Sequence, residues 1–216
     1  MVITLTYLRT NQTQHVIAER HDTSQPTISR IIARVTTLLA DTFGPDLPTI
    51  EDLDPRETLV IDGTLVPNWT WKTHPEDYSG KHRTSGRNLQ LACNLTGRLR
   101  WISDDLPGSV HDAKAIRAHA GDLLDTASDF IGHVADKGYL GLGMLTPIRR
   151  APGQQHLEKW QQEHNQQVNS IRNIIEGCIA HLKNWKILTT DYRRPHHTHT
   201  QTITATTGLH FYRLSL

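Results

Sequence analysis

The apolar residues of this chain first change their spacing at a Pro-rich break, and that change constrains the fold more than any other feature of the sequence. Through the first forty or so positions they recur at helical intervals; after a Pro-rich break they alternate or run together. In "QTQHVIAERHDTSQPTISRIIARVTTLLAD", Val16, Ile17 and Ala18 belong to one short helix, and His21 to Ser24 form a polar turn. Ser24 or Gln25 opens a second helix. Pro26 is acceptable in its first turn, where the missing N–H has no helical partner to lose. Ile28, Ile31, Ile32 and Val35 recur on the inner face, which leaves Gln25, Thr27, Ser29, Arg30 and Arg34 outward. Two short helices across a tight turn, the second polar and basic outside, form a helix-turn-helix pattern. An ordinary helical hairpin has the same apolar spacing. Little precedes the first of these helices, so the N-terminus looks short.

"GPDLPTIEDLDP" (Gly44 to Pro55) is Pro-rich and acidic and reads as a linker. Beyond it, "ETLVIDGTLV" is a short apolar strand. "RNLQLACNL" alternates, and "TG" turns it into "RLRWIS", a hairpin. "HDAKAIRAHAGDLL" is helical, and "FIGHVAD" and "GMLTPIRR" read as strands. "HLEKWQQEHNQQVNSIRNIIEGCIAHLKNW" is a long helical region, "KILTT" a last strand and "TITATTGLHFYRLS" a final helix. Strands, a helix, a strand and a long helix make a mixed α/β domain with a central sheet. The divisions expected are a helix-turn-helix module at 1–43, a linker at 44–56 and an α/β domain at 57–216.

No stretch reaches the roughly 18 apolar residues of a membrane span, and the first residues lack the charged and apolar regions of a secretory signal. Cys93 and Cys178 lie far apart without a CxxC pair, so neither a zinc site nor a disulfide framework is expected, which suits a reducing cytosol. Net charge is +1, but its distribution is uneven. Tyr78 to Ser103 holds five basic residues (Lys81, Arg83, Arg87, Arg98 and Arg100) and no acidic ones. A basic surface around isolated carboxylates suits a phosphate backbone and a metal; a solvated face is the plainer reading. "HHTH" (His196 to His199) reads as an exposed polar loop rather than a metal site.

Four acidic residues stand out. Asp62 ends the strand "LVI", Asp112 opens a helix after "PGSVH", and Asp136 ends "FIGHVA". Singly they read as an Asp-Gly turn, a helix cap with Ser109 and a turn before Gly138. Glu176 falls on the flank of a helical stripe formed by Ile171, Ile174, Ile175, Cys178, Ile179 and Leu182, with Arg172 and Lys183 beside it. Its plain reading is an i, i+4 ion pair with Arg172, contributing roughly a few tenths of a kcal/mol. Jointly, two strand-end aspartates and a helical glutamate can converge. Clustered carboxylates raise one another's pKa unless a cation neutralises them, and Mg²⁺ takes oxygen ligands of this kind. Two such ions about 4 Å apart can activate a water and stabilise a phosphodiester's leaving oxygen. Phosphoryl transfer needs that positioning and neutralisation more than a covalent nucleophile. No Ser-His, Cys-His or P-loop motif competes.

"VIDGT", "YSGK", "LPGSVHDAKAI", "ADKGY", "TPIRR" and "RNIIEGCIAHLK" follow in the order seen in Harbinger-like insertion-sequence transposases of the DDE superfamily, which the chain resembles from Thr13 to Leu214. The resemblance implies a ribonuclease-H-like α/β fold, a mixed sheet with flanking helices, preceded by a small all-α helix-turn-helix module. It implies that Asp62, Asp136 and Glu176 are the catalytic triad, holding two Mg²⁺ (or Mn²⁺) ions, with Asp112 a further metal-associated position. Arg172, Glu176 and Lys183 match an Arg-x3-Glu-x6-Lys signature whose cations touch DNA near the cut. Where that signature has Tyr, three before the Arg, this chain has Asn169. By the same resemblance Gln25, Thr27, Arg30 and Arg34 would hold the terminal inverted repeat, and Lys81, Arg83 and Arg87 would bind backbone phosphates. The implied protein is a transposase that cleaves double-stranded DNA at element ends and joins the freed 3′-hydroxyl to target DNA. It would act as a homo-oligomer on the nucleoid, in the cytoplasm of a bacterium. The alternative is an inactive or domesticated copy that binds DNA without cutting it.

Overall fold

Three helices, not two, occupy the first 43 residues of the computed structural model, which describes residues 1–69, 72–126 and 132–215. α1 (Val2–Thr10) stands ahead of the two helices that the apolar spacing predicts. Its "VITLTYL" is rich in β-branched residues and shows little helical pattern, yet Thr4, Tyr7 and Leu8 are buried. Packing has overridden propensity. Asn11 ends the helix in the left-handed region that Asn tolerates (φ 45°), and the Thr13 side chain caps α2 (Gln14–Arg20) by accepting from the Val16 amide. α3 (Gln25–Phe43) buries Ile28 and Ile32 as its spacing predicts, with Ile31 and Val35 half-buried at the margin. Gln25, Arg30 and Arg34 are exposed and Thr27 is half-buried.

The chain divides into two units, each drawn from separate segments. Unit one comprises 1–47, 66–87 and 181–216; unit two comprises 48–65 and 88–180. In unit one, α6 (His199–Leu214) packs along α3. The approach is close at Gly208, where a Cβ would lie 2.5 Å from the Cβ of Phe43. The expected strand "KILTT" is instead a 3₁₀ turn over Lys186–Leu188 whose Ile187 and Leu188 are buried. A short apolar run cannot declare its own backbone, and this one meets the core from a turn. Nor is "HHTH" an exposed loop: His196 hydrogen-bonds Asp77 at 2.8 Å and stacks on His74, while His199 is buried and stacked on Tyr192. Flat rings with a polar edge serve here as packing elements.

Among the described residues the sheet has five strands, with β3 (Thr84–Asn94) at its centre. β1 (Leu59–Pro67), β2 (Tyr78–Ser79), β4 (Leu99–Ile102) and β5 (Leu106–Pro107) all pair with it. β2–β3 belongs to unit one. The predicted β3–β4 hairpin, turning at Thr96–Gly97, belongs to unit two, and both pairs are antiparallel. Among the described residues of unit two, single parallel bridges join Val60 to Val134 and Val134 to Leu145. The described part of "FIGHVAD" (132–136) and "GMLTPIRR" are not strands in their own right; Phe130 and Ile131 lie outside the described residues.

The expected linker is ordered into two 3₁₀ turns, the second closed by a Thr49–Asp52 capping box. Leu53 enters a core with Leu59, Ile61, Trp101, Ile116 and Tyr139. α4 (Asp112–Thr126) and α5 (Lys159–Leu182) complete unit two's helices, α5 burying Ile175, Cys178 and Leu182 along the predicted stripe. Cys93 and Cys178 meet inside as free thiols, and their hydrogen bond, with burial, pushes the Cys93 thiol up. The mixed helix and sheet class is thus observed, with an antiparallel sheet. No helix among the described residues is long and apolar enough to cross a membrane.

Candidate active site

β1 carries Asp62 as its fourth residue and runs on to Pro67. Asp62 is therefore inside the strand rather than at its end, and "DGT" is not a turn. Gly63 is required for another reason: a Cβ there would lie 2.6 Å from Asp112 Oδ1 and 2.8 Å from Gln90 Nε2. The backbone beside Asp62 thus presses against a second carboxylate.

Asp112 is the first residue of α4 and is 6% exposed. Its carboxylate makes a sheet contact: Oδ1 accepts from Asn88 Nδ2 at 3.0 Å and Gln90 Nε2 at 3.5 Å. At the helix start it is the His111 ring that faces the Ala113 amide, at 3.4 Å. Asp136 does serve a turn. Its Oδ1 accepts from the Gly138 amide at 2.5 Å and opens the 3₁₀ turn Lys137–Tyr139. A Cβ on Gly138 would lie 2.7 Å from Asp136 Oδ1 and 3.7 Å from Asp112 Oδ2. Gly63 and Gly138 therefore flank the same Asp112 carboxylate, one at each oxygen.

Tyr139 reports the convergence. Its hydroxyl donates to Gln90 Oε1 at 2.6 Å. Burial, then the charges of Asp112, Asp62 and Asp136, push this phenol well above its ordinary range, against a smaller opposing effect of Arg172. The charges of Asp112, Asp62 and Asp136, carried on α4, β1 and the segment after Val134, thus act on this phenol in the same direction.

Arg172 is not paired with Glu176 as helical spacing suggests. Its Nη2 donates to Asp62 Oδ2 at 3.3 Å, with both side chains under a fifth exposed. Two half-buried groups gain more from each other than Arg172 gains from an exposed carboxylate on its own helix surface. Glu176, one turn further on, is exposed and has no hydrogen-bond or ion-pair partner among the described residues. The structure thus brings together Asp62, Asp112, Asp136 and Arg172 and leaves Glu176 outside those contacts.

The other candidate cations lie in unit one. Lys81 and Arg83 are exposed at the tip between β2 and β3, where Arg83 takes a left-handed backbone (φ 54°) and its amide donates to the Ser79 carbonyl. Arg87 donates to Asp77 Oδ1 at 3.0 Å. Lys183 follows α5, and burial lowers its ammonium from the ordinary value.

The donor chemistry of the carboxylate group fits a hard divalent ion, since it offers oxygen alone and already draws a guanidinium to Asp62. As they stand, no three His, Cys, Asp or Glu side chains among the described residues are grouped to hold an ion together. Asn88, Gln90 and Tyr139 were not singled out in the sequence. Their signal is two carboxamides at i and i+2 of an otherwise apolar strand, "NLQLA", a pattern that puts both on one face.

The family pattern described as DDE superfamily endonuclease matches residues 61–210, and that described as the helix-turn-helix of DDE superfamily endonuclease matches residues 1–45. A protein of Streptomyces albus G, whose name is that of a transposase for insertion sequence element IS112, is 32% identical over 194 residues, covering 84% of this chain and 67% of its own length. One of Microchaete diplosiphon, named for the transposase of insertion sequence element IS702, is 25% identical, covering 100% and 80% respectively. No solved structure matches the chain.

Proposed function

The chain belongs to the DDE superfamily endonucleases, among relatives named as insertion-sequence transposases, and from that premise we propose that it cleaves double-stranded DNA at element ends and transfers the strand into target DNA. The observation that carries this reading is the packing of Gly63, next to Asp62, and Gly138, in the turn that Asp136 opens, against the two oxygens of Asp112, with Arg172 seated on Asp62. Asp62 and Asp136 and, by the family resemblance alone, Glu176 are the proposed catalytic carboxylates. With Asp112 they would hold Mg²⁺ or Mn²⁺, two ions by family resemblance. When bound, such ions supply an activated water and neutralise the charge that develops on the phosphodiester.

The chain's own part is positioning. Arg172 offsets Asp62 and presents a guanidinium whose planar donors suit a phosphate; Lys183 is proposed to touch DNA near the cut. The outer face of α3, with Gln25, Thr27, Arg30 and Arg34, enters the major groove of the terminal repeat as a recognition helix does. Lys81 and Arg83, with Arg87, hold backbone phosphates, so affinity falls with salt. In this proposal residues 1–43 recognise the end, 44–56 link, and 57–216 form a ribonuclease-H-like catalytic domain. The protein works as a homo-oligomer on nucleoid DNA in the bacterial cytoplasm.

The test incubates the protein with element-end DNA and Mg²⁺ or Mn²⁺ beside Asp136→Ala, following both cleavage and joining. Cleavage and joining by the wild type alone support the proposal. Cleavage without joining reduces the activity to that of a simple nuclease. Tight binding by both proteins with no cutting by either marks an inactive copy.

A further inference from the structure

We infer that Asn88, Gln90 and Tyr139 are positioning residues that hold the Asp112 carboxylate in place to receive a divalent cation alongside Asp62 and Asp136, an inference that rests on the metal-dependent reading above. The three form one directed chain. The Tyr139 hydroxyl donates to Gln90 Oε1 at 2.6 Å, Gln90 Nε2 donates to Asn88 Oδ1 at 2.8 Å, and Asn88 Nδ2 donates to Asp112 Oδ1 at 3.0 Å.

The direction is set by chemistry at both ends. An ionised carboxylate only accepts, so Asn88 must turn its amino group toward Asp112. That leaves the Asn88 oxygen for the Gln90 amino group, and the Gln90 oxygen for a hydroxyl. A tyrosine held protonated by burial and by three nearby carboxylates is a dependable donor for that last place. Reversing either amide would set acceptor against acceptor.

The packing sharpens the point. Gln90 and Tyr139 are 0% exposed and Asn88 is 7% exposed. Buried carboxamides cost stability wherever a bond is missed, and an aliphatic pair at 88 and 90 would suit a central strand better. Nothing in the hairpin calls for them. What they reach is Asp112 on one side and, through Tyr139, the turn that Asp136 opens on the other. The chain therefore sets the spacing of two carboxylates that arise from different elements, which is how outer hydrogen bonds tune metal ligands. Asn88 Nδ2 also donates to the Val110 carbonyl at 3.0 Å, so a purely structural staple is the competing account.

Mn²⁺ binding to the full chain without DNA separates the two, followed by the paramagnetic resonance of free Mn²⁺. Tyr139→Phe and Gln90→Met are each expected to weaken Mn²⁺ binding on the order of 10-fold or more, with helix content by circular dichroism unchanged. In an Asp112→Asn background Tyr139→Phe is expected to add no further loss. Affinity within about twofold of wild type in Tyr139→Phe, or the same loss with and without Asp112, overturns the inference. Should Gln90→Met not fold, Tyr139→Phe, which removes one oxygen, decides alone. If Asp62→Asn abolishes Mn²⁺ binding while Tyr139→Phe leaves it intact, this inference falls and the metal-dependent reading stands. A wild type that binds no Mn²⁺ overturns both.

Discussion

Each unit buries an aspartate, and the two are kept in opposite company. In unit one, Asp77 is 1% exposed and accepts from Arg87, His196 and Asn68. Burial pushes its carboxyl up, but those bonds outweigh it and hold the group below its ordinary value. In unit two, Asp112 accepts from two carboxamides and shares its surroundings with Asp62 and Asp136. The unit totals follow suit. Unit one has 13 Lys and Arg against 7 Asp and Glu, unit two 10 against 15, so a chain of net charge +1 divides into +6 and −5. Donors converging on one carboxylate make a structural joint. Carboxylates whose charges act together make a place that an added cation would relieve. The overall charge hides the difference between a cationic unit and an acidic one.

The largest test of that contrast is Asp77→Ala. It strands a guanidinium and an imidazole beside a buried position, and breaking a buried pair in this way costs about 3–5 kcal/mol. Urea denaturation should show that loss. A cost near zero would mean that the joint is dispensable and the contrast superficial. Next comes the cation itself. Mn²⁺ or Mg²⁺ at a hundred times its dissociation constant should stabilise the protein by about 2.7 kcal/mol. The gain should vanish in Asp136→Asn and persist in folded Asp77 variants. An equal gain in Asp136→Asn would place the ion elsewhere.

What the sequence revealed tracks how local each determinant is. β1, the β3–β4 hairpin and helices α2 to α6 were legible, because alternation, a Thr-Gly turn and three-to-four spacing lie within a dozen residues of one another. The strands expected around Val134 and Leu145 were not, since each segment contributes a single bridged residue and its apolar run is used for packing. α1 was hidden by a β-branched sequence that only its burial makes helical. At the candidate site the aspartates Asp62, Asp112 and Asp136 could be picked out as isolated acids next to apolar runs. Their partners could not. Arg172 reaches Asp62 rather than its helical neighbour, and Tyr139 meets Gln90 across elements. Contacts at such separation leave no periodic trace, and Asp62 looked like the end of a strand only because Asp-Gly so often is one.

The smallest expected effect concerns acid, and it sharpens the comparison from unit one's side. His210 on α6 is 1% exposed, and burial, with Arg213, His181 and Arg9 nearby, lowers its pKa to about 4. The folded protein therefore keeps this ring neutral well below pH 6, whereas the unfolded chain takes up the proton near pH 6.5. A base with a depressed folded pKa stabilises fully above its unfolded value, and that contribution is lost as pH falls from about 6.5 toward 4. Burial also lowers His119 and His133 in unit two, so the overall acid slope cannot be assigned to one unit. The difference between wild type and His210→Leu can. Between pH 7 and 5.5 wild type should lose about 1 kcal/mol more than His210→Leu, measured by urea denaturation at each pH. Parallel slopes would mean that the ring is protonated or hydrated in the fold. The cationic unit would then accept a further buried charge.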